Sequence, residues 1–260
     1  MDHREVGKHW DELAPTWTAL VRNGYDIYRD GFNTPAFLET LPKIKGLRGL
    51  DIGCGEGHNT RQLAERGANM TAVDISQVFL DLAAEIQPEE RDIDYSVASA
   101  VQLPFPGNYF DFATGFMSFM DIPETPLVIR EAYRVLKPGA FLQFSISHPC
   151  FDTPLRIKHY NPDGSTRSYE IGDYFRNLEG EKIELNKPGS RAYEDGYPSF
   201  TIPRFTRTLT QWFHALIESG FVIEMVNEPH PSEEVVARYP HVQDAQVVAY
   251  FLHVRARKPA

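Results

Sequence analysis

A glycine-rich turn directly after a short apolar run limits this chain to few fold classes. Residues 50–57 read Leu-Asp-Ile-Gly-Cys-Gly-Glu-Gly, and polar and apolar residues then alternate from His58 to Arg66 as they do in an amphipathic helix. Glycine lets the backbone approach a ligand without a side chain in between. A strand, a glycine turn and a helix N-terminus in this order are typical of the first unit of a nucleotide-binding α/β fold.

Two carboxylates flank this turn and favour one class of ligand. Asp51 lies two residues before Gly53, and Asp74 follows at the end of a second apolar run. A dinucleotide turn has the spacing G-x-G-x-x-G, whereas Gly57 comes one residue early. Asp51 would repel a pyrophosphate, so a ligand with a cationic amino end and a ribose fits better. S-adenosylmethionine has both, and we expect Asp74 to accept its ribose hydroxyls, although an acid at this spacing also serves NAD.

Four further segments follow in a characteristic order: Val73-Asp74-Ile75-Ser76, Ala98 to Phe105, Phe110 to Met117, and Arg134-Val135-Leu136-Lys137-Pro138-Gly139-Ala140. Together with the glycine turn, they resemble the class I S-adenosylmethionine-dependent methyltransferases, in particular the small-molecule type with a methyltransferase type 11/25-like domain. The resemblance covers roughly residues 47 to 147. It implies S-adenosylmethionine as the cofactor and S-adenosylhomocysteine as the product.

The resemblance also implies a set of cofactor-binding residues. Ser99 stands where the family usually has Asp, and its hydroxyl would bond the adenine amine as a weaker, neutral partner. Arg29 belongs to an N-terminal segment that folds over the methionine end in related enzymes, so we expect it to pair with the cofactor carboxylate; a surface arginine is the alternative. The full predicted set is Arg29, Asp51, Gly53, Cys54, Gly55, Asp74, Ile75, Ser99, Ala100, Phe116 and Met117.

The alternation of apolar runs with helical stretches predicts an α/β fold. With the resemblance, it predicts a Rossmann-like doubly wound sheet of seven strands, mostly parallel, with the last strand antiparallel beside the fifth. Two helices are expected within residues 5–40, where Trp10, Leu13, Trp17 and Leu20 recur at helical spacing, more often a sign of core than of cofactor contact. Strands are expected near residues 48–52, 70–74, 93–97, 110–115 and 140–147, and helices near 58–66, 77–86 and 124–135.

Residues 149–205 interrupt this rhythm. The 57 residues contain six prolines, five glycines and nine Tyr or Phe, too many aromatics for a disordered linker. Residues 169–171 and 182–185 alternate as the strands of a hairpin do. We predict an ordered cap over the carboxyl edge of the sheet; a hairpin that builds a homodimer is the alternative, and both can hold.

We therefore predict a single methyltransferase domain over residues 1–260. It consists of an N-terminal helical lid, a cofactor-binding core, the inserted cap with the substrate region, and the C-terminal part of the sheet. The corresponding ranges are 1–45, 46–148, 149–205 and 206–260.

Methyl transfer requires few catalytic side chains, because the sulfonium is already electrophilic and the protein mainly aligns the acceptor. His148, at the end of predicted strand five, is the candidate base; a packing or hydrogen-bonding histidine is the alternative. The cap residues expected to line the acceptor pocket are His159, Tyr160, Tyr193 and Tyr197.

Composition narrows the range of partners. The net charge of −10 disfavours a nucleic-acid substrate, since phosphate binding needs a basic surface. The N-terminus shows no signal peptide, and no apolar run is long enough to cross a bilayer, so we expect a cytoplasmic protein with no membrane partner. The two cysteines and the histidines near Glu228 lack metal-ligand spacing, so no metal is expected.

The predicted function is in-line methyl transfer to a small-molecule acceptor, with O-, N-, S- and C-methylation all open. An RNA-modifying methyltransferase is one alternative and needs a basic face. A non-catalytic regulator or scaffold that binds the cofactor is another. An NAD-dependent oxidoreductase would share the ribose acid but bind a pyrophosphate.

Overall fold

A computed structural model describes residues 1–86 and 93–260. The first half alternates strands and helices as the sequence predicts. Its elements are β1 (Arg48–Ile52), α3 (His58–Glu65), β2 (Asn69–Asp74), α4 (Gln77–Ala84), β3 (Asp94–Val97), β4 (Phe110–Phe116), α5 (Thr125–Val135) and β5 (Leu136–Ser147), and they are preceded by α1 (His3–Arg22) and α2 (Thr34–Glu39).

The strands form one sheet of seven in the order β10-β11-β5-β4-β1-β2-β3. The additional members are β10 (Val222–Asn227) and β11 (Phe251–Arg257), reached through α7 (Leu209–Glu218) and α8 (Glu233–Arg238). Strand β11 runs antiparallel to β5 and to β10, while β1 is parallel to β2 and β4. The predicted Rossmann-like sheet with its antiparallel last strand beside the fifth is confirmed.

The centre of the sheet is buried on both faces, as its near-continuous apolar strands require. Leu50 and Ile52 in β1 are fully buried. Gly49 allows close contact with β4, because a Cβ there would lie 2.3 Å from the Phe112 ring. This packing fixes the position of the turn that follows β1.

The N-terminal segment is two α-helices joined by a π-helical turn, Arg29–Asn33. Helix α1 begins with a capping box, in which the side chain of Asp2 accepts the backbone N–H of Glu5 and the Glu5 carboxylate accepts that of Asp2. The predicted apolar stripe divides: Leu13 and Leu20 are buried, whereas both tryptophans of the stripe face the cavity described below.

The cap, residues 149–205, holds two antiparallel hairpins where the sequence suggested one. Residues 169–171 lie in β7 (Thr166–Gly172), which pairs with β6 (Leu155–Tyr160). Residues 182–185 lie in β8 (Glu179–Leu185), which pairs with β9 (Phe200–Phe205), and the short α6 (Arg191–Glu194) connects β8 to β9. Alternation identified the strands but not their partners, because an alternating segment fits any exposed strand edge.

The first hairpin is fastened to the C-terminal segment through Asp244, a carboxylate only 2% exposed. Its oxygens accept the hydroxyls of Tyr28 and Tyr250, at 2.9 and 2.6 Å, and that of Tyr169 in β7, at 3.2 Å. Lys158 of β6 forms an ion pair with the same carboxylate. This network holds the first cap hairpin against the C-terminal segment.

Within the two described ranges, the structure contains no helix that is long and apolar enough to span a bilayer.

Candidate active site

A cavity of about 440 Å³ lies at the carboxyl edge of the parallel strands. The glycine turn and the ends of β2 and β4 form one part of its wall, and α1 and the second cap hairpin, β8–β9, form the other. Open α/β sheets bind ligands at this edge. The cavity therefore joins the predicted cofactor region to the inside of the cap.

The glycine turn is held in place by β2. The backbone N–H groups of Gly53 and Cys54 donate to the carbonyl of Val73, at 2.8 and 3.1 Å. Gly53 has φ +72°, and a Cβ there would lie 2.5 Å from that of Ser118. Gly55 also has positive φ, but its Cβ position is open. The turn thus presents backbone to the cavity, as the sequence suggested.

Asp74 lines the cavity beside this turn. One carboxylate oxygen accepts the N–H of Gly55 and the other that of Ser76, both at 2.9 Å. Burial raises the pKa of Asp74 to about 6, and backbone N–H groups, including these two, oppose that rise. Each oxygen keeps a further acceptor site, so the carboxylate has the chemistry to bind a ribose diol.

Asp51 lies beneath the turn rather than on the cavity wall. It is 2% exposed and accepts the hydroxyls of Thr60, at 2.5 Å, and Thr114, at 2.8 Å. Burial raises the pKa of its carboxyl, and the two threonine hydrogen bonds lower it. Direct contact of Asp51 with a ligand stays a prediction; its observed contacts join β1, α3 and β4 under the turn.

The predicted adenine and methionine regions also reach the cavity. Ile75, Ser99 and Ala100 lie on its wall, as do Phe116 and Met117 at the end of β4. Their roles as cofactor contacts remain predictions.

Arg29 and Asn33 approach the cavity from the π-helical turn. Arg29 donates to Asp30 at 2.7 Å and lies 3.7 Å from the Glu56 carboxylate. The Asn33 carbonyl oxygen accepts His253 Nε2 at 2.6 Å, while its buried Nδ2 has no partner among the described residues. An unused amide donor and an arginine suit a carboxylate, so the site fits the amino-acid end of S-adenosylmethionine.

His148 lies just outside the cavity, which its neighbours Ser147 and Pro149 line. Its Nδ1 accepts the N–H of Cys150 at 3.2 Å, so Nε2 carries the proton and donates to Glu228 at 2.8 Å. Both ring nitrogens are occupied, and the ring is 3% exposed. The contacts match the alternative interpretation, a hydrogen-bonding histidine, and the catalytic role remains untested.

The cap residues predicted for the pocket lie away from the cavity wall. His159 and Tyr160 belong to the first hairpin, none of whose described residues contributes to the wall, and Tyr160 is 59% exposed. Tyr197 packs on Tyr25 with ring centroids 5.1 Å apart, and Tyr193 is exposed. Which hairpin covers the cavity depends on tertiary packing that composition does not encode.

At the cap end of the wall, sequence reasoning missed four charged residues: Asp121, Asp152, Arg204 and Arg207. Asp121 lies in a 3-10 turn after β4, Phe119–Asp121, and Arg204 lies in β9. The two arginines appeared in the sequence as a small basic cluster. The sequence contains one indication that the two arginines face inward: the apolar residues Ile202 and Phe205 lie close to them along the chain.

Residues 50–144 match a family model described as a methyltransferase domain. The ubiquinone biosynthesis O-methyltransferase of Pseudomonas aeruginosa is 30% identical over 142 residues, covering 54% of this chain and 60% of that protein. The biotin biosynthesis bifunctional protein BioHC of Cellvibrio japonicus is 37% identical over 113 residues, covering 43% of this chain and 22% of that protein. The chain thus spans less than two thirds of either relative.

A crystal structure of an S-adenosylmethionine dependent methyltransferase from Mesorhizobium loti is similar over a longer stretch. It is 27% identical, covers 86% of this chain and 96% of its own, and superposes with a TM-score of 0.70. The motif order, the seven-stranded sheet and these similarities lead to one assignment: residues 50–144 form a methyltransferase domain, and the fold is that of S-adenosylmethionine-dependent methyltransferases.

Proposed function

We propose that this protein transfers the methyl group of S-adenosylmethionine to a small-molecule acceptor held under the cap. One observation carries the proposal: a single cavity runs from Asp74 and the glycine turn to the β8–β9 hairpin. The methyl group of a cofactor bound at one end could then reach an acceptor bound at the other end without exposure to solvent. The Pseudomonas relative is named as an O-methyltransferase of ubiquinone biosynthesis, which supports a small-molecule acceptor.

The residues on the wall have distinct tasks in this proposal. Asp74 binds the ribose, and the turn from Gly53 to Gly55 lets the amino-acid end approach the backbone. S-adenosylmethionine supplies an electrophilic methyl group when bound. Trp17 of α1 and Ile183 of β8 supply apolar walls on the acceptor side. These walls exclude water and orient the acceptor toward the methyl group, which is most of what such a reaction needs.

The segments of the chain have corresponding proposed roles. Residues 1–45 cover the cofactor region as a lid, 46–148 bind the cofactor, 149–205 enclose the acceptor, and 206–260 complete the sheet. A nucleic-acid acceptor is disfavoured, because Arg204 and Arg207 line the cavity instead of forming a basic surface and the net charge is −10.

Calorimetric titration with S-adenosylmethionine, S-adenosylhomocysteine and NAD in parallel tests the cofactor. We expect micromolar binding of the first two ligands and none of NAD. Binding of S-adenosylhomocysteine alone would indicate a regulator, and binding of NAD alone would refute the proposal. Release of S-adenosylhomocysteine with an added acceptor then tests catalysis.

A further inference from the structure

Asp121 stands out among the charged groups at the cap end of the cavity. It is half-buried on the cavity wall. No described residue donates a hydrogen bond to its carboxylate, whose nearest influences are the charges of Arg204 and Asp152. A partly buried carboxylate on a cavity wall, with no hydrogen-bond donor from the described residues, is free to accept a hydrogen bond from a bound molecule.

The neighbouring charges are already engaged. Arg204 forms an ion pair with Asp152 and donates to its backbone carbonyl at 3.0 Å. Arg207 donates to the backbone carbonyl of Ile122 at 3.0 Å, and its buried Nη1 has no partner among the described residues. Asp121 is thus the carboxylate left available to a bound molecule at the cap end of the cavity.

We propose that Asp121 is the catalytic base of this enzyme and that the acceptor is a phenolic hydroxyl on an apolar ring. The inference rests on the proposed methyl transfer and specifies its acceptor. Trp17, Trp212 and Phe205 line the same space and suit an aromatic ring. Arg204 beside the carboxylate disfavours a cationic amine.

The step balances without a further reactant. The phenolic oxygen forms a bond to the methyl carbon, and the carbon–sulfur bond breaks with its electron pair remaining on sulfur. The hydroxyl proton passes to the carboxylate of Asp121. The products are an aryl methyl ether, neutral S-adenosylhomocysteine and a protonated Asp121, which returns its proton to solvent when the product leaves.

The electrostatics of the carboxyl suit this role. Burial raises the pKa of Asp121 to about 7, Arg204 lowers it, and Asp152 raises it further. The other charged groups nearby are Arg207 and Glu124, the latter held by His3 at 3.1 Å. A base whose pKa lies near the operating pH is effective for general-base catalysis. The rate is therefore expected to increase as pH rises through about 7.

Two phenolic substrates distinguish a catalytic base at position 121 from a residue with only a structural role. Catechol keeps its proton near neutral pH, whereas 4-nitrophenol is largely ionised at pH 8 and needs no base. For D121N we expect kcat with catechol to fall about hundredfold, and kcat with 4-nitrophenol to change by less than about threefold. The increase in rate near pH 7 with catechol should disappear in D121N. Asp163→Asn, at the turn of the first hairpin, is the matched control.

The outcomes distinguish this inference from the proposed function. An equal fall for both phenols, or an unchanged pH profile in D121N, would refute the role of Asp121 while leaving methyl transfer intact. Turnover of benzylamine without either phenol would refute the phenolic acceptor, as would failure of both phenols to bind the cofactor-loaded protein at millimolar concentration. Absence of S-adenosylmethionine binding would instead refute the proposed function itself. Thermal melting verifies that each variant folds.

Discussion

The two ends of the cavity are built in different ways. At the proposed cofactor end, Gly53 and Asp74 lie at the ends of adjacent parallel strands, and backbone hydrogen bonds hold them. At the cap end, Asp121, Arg204 and Asp152 come from three separate segments, and a side-chain ion pair joins Arg204 to Asp152. The comparison shows that backbone geometry fixes the first end, whereas packing of the cap fixes the second.

Replacing Asp74 by Ala should have the largest effect on the cofactor end. Loss of two charge-assisted hydrogen bonds to the ribose is worth about 3 kcal/mol, or roughly a hundredfold in the dissociation constant. Calorimetry with S-adenosylmethionine measures it, and Asp81→Ala on the exposed face of α4 is the control. If the two ends of the cavity are independent, Asp74→Ala leaves the binding of 4-nitrophenol unchanged. An unchanged affinity of this variant for S-adenosylmethionine would contradict the ribose role of Asp74.

Gly53→Ala tests whether the turn depends on close packing as well as on its backbone angle. The new Cβ would lie 2.5 Å from that of Ser118, at φ +72°. We expect unfolding in urea to show a loss of about 2–3 kcal/mol. Gly139→Ala is the matched control, since Gly139 has φ +79° and open space around its Cβ position, and it should lose about 1 kcal/mol. Equal losses of unfolding free energy in the two variants would show that the positive φ alone destabilises Gly53→Ala.

The cofactor end should also respond to acid. Burial raises the pKa of Asp74 to about 6, so its carboxyl becomes protonated below that pH and no longer accepts both ribose hydroxyls. The dissociation constant for S-adenosylmethionine should increase about tenfold between pH 7 and pH 5. Calorimetry across this range measures the change, and Asp74→Asn should show a flat profile. A flat profile in the unmodified protein would exclude Asp74 as the titrating group.

The cap end should gain stability when its base is removed. The folded-state pKa of Asp121, about 7, lies above its unfolded value, so this group stabilises the fold at low pH and that contribution is lost as pH rises through 7. Asp121→Asn should therefore be more stable than the unmodified protein at pH 8, on the order of 1 kcal/mol, because Asp121 is only half-buried. The difference should vanish below pH 4. Urea unfolding at both pH values tests this, and lower stability at pH 8 would contradict it.

The sequence predicted the elements that depend on local signals better than those that depend on tertiary packing. The first five strands and their helices were predicted because periodicity is a local signal, and the antiparallel position of the last strand was implied by the family resemblance. The pairing of the cap strands was not, since their exposed edges fit several partners. The predicted pocket residues His159 and Tyr160 accordingly lie on a hairpin that packs against Asp244 rather than over the cavity.

By itself, the sequence determined the cofactor end. Gly53, Gly55 and Asp74 are placed by a strand, a turn and a neighbouring strand, whose geometry depends on a few consecutive residues. Only the tertiary structure decided that Asp51 lies under the turn, that both His148 nitrogens are occupied, and that Arg204 lies near enough to lower the pKa of Asp121. The physical reason is that contacts between side chains far apart in sequence depend on how whole elements pack, and no local pattern records that packing.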